Sequence, residues 1–230
     1  MAKVGRPARI SREAIAEAAN DIGLSDLTLR AVADRLGVSI ASLYHHVDGK
    51  DDLLRLAAEY SAARTPIPRD EGQHWAVWLL EWALYNRDAF VAEPALLGQF
   101  MDGAIGADVM ADNTDAILAR LMAQGFTARD AQTAYQLVSG CALGSAVQAI
   151  REQRAATAGR PAAKEYRRVL AEREPGDLPH LRALLTEAAV TPLESFESRM
   201  TTVLAGIAAR RGDDWSVIAT KLDRLLNAHG

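Results

Sequence analysis

The stretch Thr28 to Val47, TLRAVADRLGVSIASLYHHV, concentrates side chains that can donate or accept hydrogen bonds from fixed positions. Thr28 is a natural N-cap, and Leu29, Val32, Ala33 and Leu36 then recur on one helical face. Gly37 stops that helix where a positive φ is needed. Ser39 caps a second short helix, expected to run through Val47, with Ile40, Leu43 and Val47 at i, i+3 and i+7. Helix, glycine turn, helix is the spacing of a helix-turn-helix. Ala33 is small where the helices must cross, Val38 fills the angle between them, and Leu36, Leu43 and Val47 tie the pair down. Ser39, Ala41, Ser42, Tyr44, His45 and His46 are left facing outward. Small and hydrogen-bonding groups at a helix start fit the major groove of DNA, and the free N–H groups there attract phosphate. The chemistry implied is recognition, not bond making.

Bond-making alternatives lack their residues. There is no GxSxG, no glycine-rich phosphate loop before a helix and no HExxH, so no enzyme is expected. His45 and His46 are adjacent and cannot converge on one ion, while His74, His180 and His229 stand apart from any Cys or carboxylate at ligand spacing. No metal and no cofactor is expected. Asp51 and Asp52 suit the positive N-terminus of a following helix better than a metal site.

The elements that would position this unit are nearly all helical, and the fold class expected is all-α. A helix beginning at Ser11 carries Ile15, Ala18, Ala19 and Ile22 on one face and ends at Gly23; another begins near Lys50 with Leu53, Leu54, Leu56, Ala57 and Tyr60. Residues 65–72, TPIPRDEG, mark the expected boundary between an N-terminal domain, 1–65, and a C-terminal helical domain, 66–230. Further helices are expected near 73–91, 94–101, 108–124, 128–155, 163–173, 178–189, 192–210 and 214–227.

The whole chain has 26 basic and 30 acidic residues, which at first argues against a nucleic-acid partner. The excess is uneven. Residues 1–65 hold nine of each sign and begin with Lys3, Arg6, Arg9 and Arg12, so the acidity belongs to the remainder. The basic arm is either a solvated terminus or a segment that meets phosphates. With one Cys, no apolar run long enough to span a membrane and no apolar secretory core near the N-terminus, a cytoplasmic protein is expected.

The string LTLRAVADRLGVSIASLYHHVDGKDDLL closely resembles the DNA-binding segment of the TetR family of transcriptional regulators. Gly37, Val38, Leu43, Tyr44, His46, Val47, Lys50, Leu53 and Leu54 carry the likeness over about 55 residues. Residues 125–148, with the opening Gly-Phe and later Leu-Gly, resemble the long central helix of the tetracycline-repressor branch, as do Trp75 and the Asn86-Arg87-Asp88 region. The resemblance implies a helix-turn-helix head and a helical ligand-binding and dimerisation body. It implies a homodimer on the palindromic operator of double-stranded DNA, released by a small-molecule effector. An activator or a ligand-independent regulator with the same head is the alternative. By the same resemblance Thr28 and Arg30 reach phosphate or guanine, and Ile40, Ala41 and Ser42 fill the tip of the recognition helix. Tyr44 and His46 meet phosphates or base edges, Lys50 meets a phosphate, and His45, on another face, is either a further DNA contact or simply exposed. That branch binds a metal-chelated drug through a His and a Glu; residues 90–115 contain no His and Gln148 stands near the Glu position, so that ligand is not expected here.

Two features of the body remain open. Trp75, Trp78, Trp82 and Tyr85 form an aromatic stripe, either ordinary core or the wall of a flat apolar pocket. In the second case Trp78, Trp82, Phe100 and Met101 would line it, and Gln132, Tyr135 and Gln136 would orient the ligand. Small residues run through Ser139, Gly140, Cys141, Ala142, Gly144, Ser145 and Ala146 and recur at Thr201, Ala205, Gly206 and Ala208. They allow close helix packing, either within the chain or in a four-helix contact across a two-fold axis.

Overall fold

The computed structural model describes residues 10–64, 68–103, 107–186 and 192–229. Its secondary structure among these residues is helical throughout. The contacts divide the chain into two compact units. One contains residues up to 69 together with 92–117, and the other contains 70–91 and 118 onward.

In the first unit, helices α1 (Arg12–Ile22), α2 (Leu29–Leu36), α3 (Ile40–Leu43) and α4 (Lys50–Arg64) enclose a small apolar centre. Ile15, Ala19, Val32, Leu43, Val47 and Leu53 are essentially inaccessible to solvent. Ser11, Thr28 and Ser39 each accept a hydrogen bond from a backbone N–H three residues on, which defines the starts of α1, α2 and α3. Gly37 lies in the left-handed region at φ 67°, and its N–H and that of Val38 donate to Asp34 and Ala33. These two bonds cap the open carbonyls of α2 and set the turn angle. The second helix of the pair is shorter than its apolar spacing predicts. It ends at Leu43: the His46 N–H bonds three residues back to the Leu43 carbonyl, which it shares with the Val47 N–H, and residues 44–46 form a tightened turn. Helix α6 (Pro94–Met101) packs on α4 in the same unit, and Glu93 just before it accepts a 2.6 Å hydrogen bond from Ser25 Oγ.

In the second unit, most of α5 (Trp75–Ala92) is surrounded on all sides, with Trp75, Trp78, Leu79, Leu80, Trp82 and Ala83 buried. Helix α7 (Ala107–Ala123) enters this unit over its last turns. The long α8 (Ala128–Thr157), capped by Thr127, runs against α11 (Pro192–Arg211). A hairpin of α9 (Ala162–Ala171) and α10 (Pro179–Thr186) lies between them in sequence, and α12 (Trp215–His229) packs on α11. Arg211 sits 3.6 Å over the Phe126 ring, and Trp75 Nε1 donates to Asp213 at 3.0 Å, so the junction of α11 and α12 is tied to α5. The small-residue run divides between two faces. Ala142, Ser145 and Ala146 are buried within the chain, whereas Gly140, Gly144 and Gly206 are exposed with open space where a Cβ would stand.

Candidate nucleic-acid interface

The exposed side of the helix-turn-helix is built on two buried anchors, Leu43 and Val47. Between and around them the chain turns Ile40, Ala41, Tyr44 and His45 outward, with Tyr44 at 55% of its full exposure. Ser39 Oγ accepts from the Ser42 N–H at 3.2 Å and lies 2.8 Å from Ser42 Oγ, so both hydroxyls are held at the N-terminal tip of α3. Ser42 and His46 are half-buried, and Lys50 is exposed at the first residue of α4. Thr28 Oγ1 accepts from Ala31 N–H at 3.0 Å, which leaves its exposed position at the start of α2 beside Arg30. Arg30 is 83% exposed and pairs loosely with Asp34 at 3.7 Å. The ten residues picked out for DNA therefore lie in one compact unit at the starts of α2, α3 and α4 and in the turn after α3.

Arg12 corrects one expectation. Read as part of an uncompensated basic arm, it instead lies in the first turn of α1 and reaches both Asp52 carboxylate oxygens at 3.3 Å. It also donates to the His46 carbonyl. Asp52 further accepts from the Asp48 N–H at 3.0 Å and from Arg55. Burial pushes the Asp52 carboxyl up, but hydrogen bonds from Arg12 and the Asp48 N–H, the Arg12 charge and Arg55 outweigh it and hold it below its ordinary value. Sequence reasoning took Asp52 for a helix-start acid and missed this node. One signal was present: a cation in the first turn of α1 faces the positive end of the helix and calls for an acidic partner. The rest of the arm, Lys3, Arg6 and Arg9, lies outside the described residues.

In the second unit Tyr135 meets Trp82 edge to face, 5.5 Å between ring centres. Trp78 is buried beneath the Arg120 guanidinium at 5.1 Å, and Arg120 donates to Gln73 Oε1 at 2.9 Å and pairs with Asp70. Burial pulls the Arg120 guanidinium below its ordinary value. Gln132 and Gln136 lie on the exposed side of α8, and Phe100 and Met101 belong to the first unit, with Met101 66% exposed. Trp82 and Tyr135 thus pack together, while the two glutamines point to solvent. Among the described residues no three His, Cys, Asp or Glu side chains gather as metal ligands, and no helix is long and apolar enough to cross a membrane.

This arrangement can be set beside known proteins. Residues 11–57 match the family described as bacterial regulatory proteins of the tetR family, and residues 67–211 match the tetracyclin repressor-like C-terminal domain. The chain belongs to the TetR family. It is a DNA-binding, ligand-responsive transcriptional regulator and not an enzyme. The tetracycline repressor protein class A from transposon 1721 of Escherichia coli is 33% identical over 205 residues, covering 84% of this chain and 86% of that protein. The class D tetracycline repressor of Escherichia coli is 31% identical over 171 residues, 69% of this chain and 74% of that protein. In fold, the TetR family protein ActR of Streptomyces coelicolor in complex with actinorhodin superposes with a TM-score of 0.69 at 24% identity, covering 88% of this chain and 97% of that one. The all-α class and the N-terminal helix-turn-helix followed by a helical C-terminal domain are therefore those of this TetR regulator. Helix α12 begins beyond the last residue of the C-terminal family match.

Proposed function

We propose that this TetR regulator is a cytoplasmic homodimeric repressor that holds a palindromic operator and leaves it when a small molecule binds the C-terminal domain. The observation that carries the DNA half is the tip of α3. A serine pair and an exposed Ile40, Ala41 and Tyr44 stand on a fully buried Leu43–Val47 base. In this reading Ser39, Ile40, Ala41 and Ser42 meet base edges, with Ile40 or Ala41 against a thymine methyl. Thr28, Arg30, Tyr44, His46 and Lys50 fix the register on phosphates, and His45 sits at the margin. Two heads about 34–36 Å apart would enter successive major grooves.

The effector half rests on the aromatic lining of α5 and α8. The edge-to-face pair Trp82 and Tyr135 is the apolar surface we assign to a planar ligand, with Trp78, buried under Arg120, and the exposed Gln132 and Gln136 as further candidates in the same unit. The working functional division is 1–65 for DNA and 66–230 for effector and dimer. Release follows if the effector prefers a conformation whose heads no longer match the operator spacing. The test is duplex binding over a range of salt by wild-type protein and by the Tyr44→Ala and Lys50→Ala variants. Both variants should bind more weakly while keeping the wild-type melting temperature, and Lys50→Ala should lower the salt slope by about one. Unaltered binding by both would overturn the assigned surface.

A further inference from the structure

The recognition segment has a mechanical weakness. Helix α3 is a single turn; after it the Tyr44 N–H still bonds to the Ile40 carbonyl, and the His46 and Val47 N–H groups share the Leu43 carbonyl. A helix end leaves its last carbonyls without intrahelical partners, and those groups need donors from elsewhere. For His46 the donor comes from 34 residues away, the Arg12 guanidinium on α1. The same guanidinium is gripped by Asp52, whose side chain is only 11% exposed, on the first turn of α4. Asp52 in turn holds the Asp48 N–H in the turn that leads from α3 to α4, and Arg55 one turn further along.

We infer that Arg12 is a positioning residue for DNA recognition: by joining the His46 carbonyl to Asp52 it locks the turn after α3, and so the direction of Tyr44 and His46, to α1 and α4. The inference rests on the reading that residues 39–50 face DNA. It assigns Arg12 a role opposite to that of an arm residue. Its charge is taken up by Asp52 and by the His46 carbonyl in the turn after α3, through charge-assisted hydrogen bonds. It therefore contributes to the orientation of other groups and not to phosphate neutralisation.

The test uses the full-length protein, a palindromic duplex selected by it from a random pool, and a scrambled duplex of the same length. Arg12→Ala should lose about tenfold in affinity for the selected duplex, the scale of one charge-assisted hydrogen bond. Its affinity for the scrambled duplex and its salt slope should stay unchanged. Asp52→Ala should lose a similar factor, and the double variant no more than either single one, since both break the same node. Arg12→Lys should restore the melting temperature more than the selected-duplex affinity, because an ammonium can pair with Asp52 but does not bridge to the carbonyl with a planar fork. A salt slope lowered by about one would make Arg12 a phosphate contact and overturn the inference. So would losses that multiply in the double variant, or a lysine that restores stability and affinity alike. Tyr44→Ala is the control for the underlying reading. If Tyr44→Ala weakens binding while Arg12→Ala does not, positioning by Arg12 is refuted and the DNA face stands; if Tyr44→Ala leaves binding intact, the face itself is refuted.

Discussion

Gly144→Leu tests the proposed dimer with effects of opposite sign on the chain and on its assembly. Gly140 and Gly144 lie four residues apart on the exposed side of α8, and a Cβ built at either meets no atom within 4 Å. Within one chain the leucine has room, and it replaces a glycine inside a 30-residue helix, where the better helix former contributes about 1 kcal/mol. Across a two-fold axis the balance reverses. Helices in contact sit about 8–10 Å apart, and the close end of that range requires glycine or alanine at the crossing. Overpacking costs about 1–3 kcal/mol per site, and the symmetry places two copies in one interface. The dimer should weaken by about 2–6 kcal/mol, which is at least about thirtyfold in its dissociation constant. Sedimentation equilibrium over a range of concentrations measures that constant, and circular dichroism on the same samples reports helix content. The expected outcome is wild-type helicity with a shift from dimer to monomer and loss of palindrome binding. An unchanged dissociation constant with wild-type helicity would refute the placement of this face in the interface.

Other perturbations probe the head and the aromatic wall. Ser39→Ala should destabilise by about 1 kcal/mol through loss of the α3 cap, whereas Ser39→Gly should cost only a few tenths; if Ser39 also touches DNA, thermal melts will separate the two variants while duplex titrations show both weakened. Trp78→Phe should keep the fold and shift the effector concentration needed for release from DNA, read by fluorescence anisotropy; an unchanged effector response would return Trp78 to ordinary core. The depressed Asp52 carboxyl contributes stability that is present above the ordinary carboxylate value and is lost as pH falls through its lower folded-state value. Urea melts between about pH 5 and 2.5 should therefore show a shallower acid loss in Asp52→Asn than in wild type. Parallel curves would refute a depressed carboxylate.

The parts of this fold that were legible in the sequence are those set by local chemistry. Thr28 and Ser39 announce helix starts because their hydroxyls substitute for missing backbone partners, and both make those bonds. Gly37 announces a turn because its φ of 67° suits glycine. What stayed hidden depends on partners distant in sequence. The apolar spacing of Ile40, Leu43 and Val47 fits a longer helix, yet Val47 is equally well buried by a tightened turn, so periodicity does not locate the end of α3. The Arg12–Asp52 node joins residues 40 apart, and only the misplaced charge at the start of α1 hinted at it. On α8 the run of small residues serves two faces at once, and composition does not tell buried Ala142 from exposed Gly144.

The central claim is that the starts of α2, α3 and α4 read a symmetric DNA site. Selection of duplexes from a random pool by the full-length protein at physiological salt tests it most directly, with Tyr44→Ala selected in parallel. The account predicts enrichment of inverted repeats whose half-site centres lie about one helical turn, 10–10.5 base pairs, or a multiple of it apart. Under the same conditions Tyr44→Ala should lose that enrichment. A pool that remains unenriched, or one enriched equally by Tyr44→Ala, would contradict it.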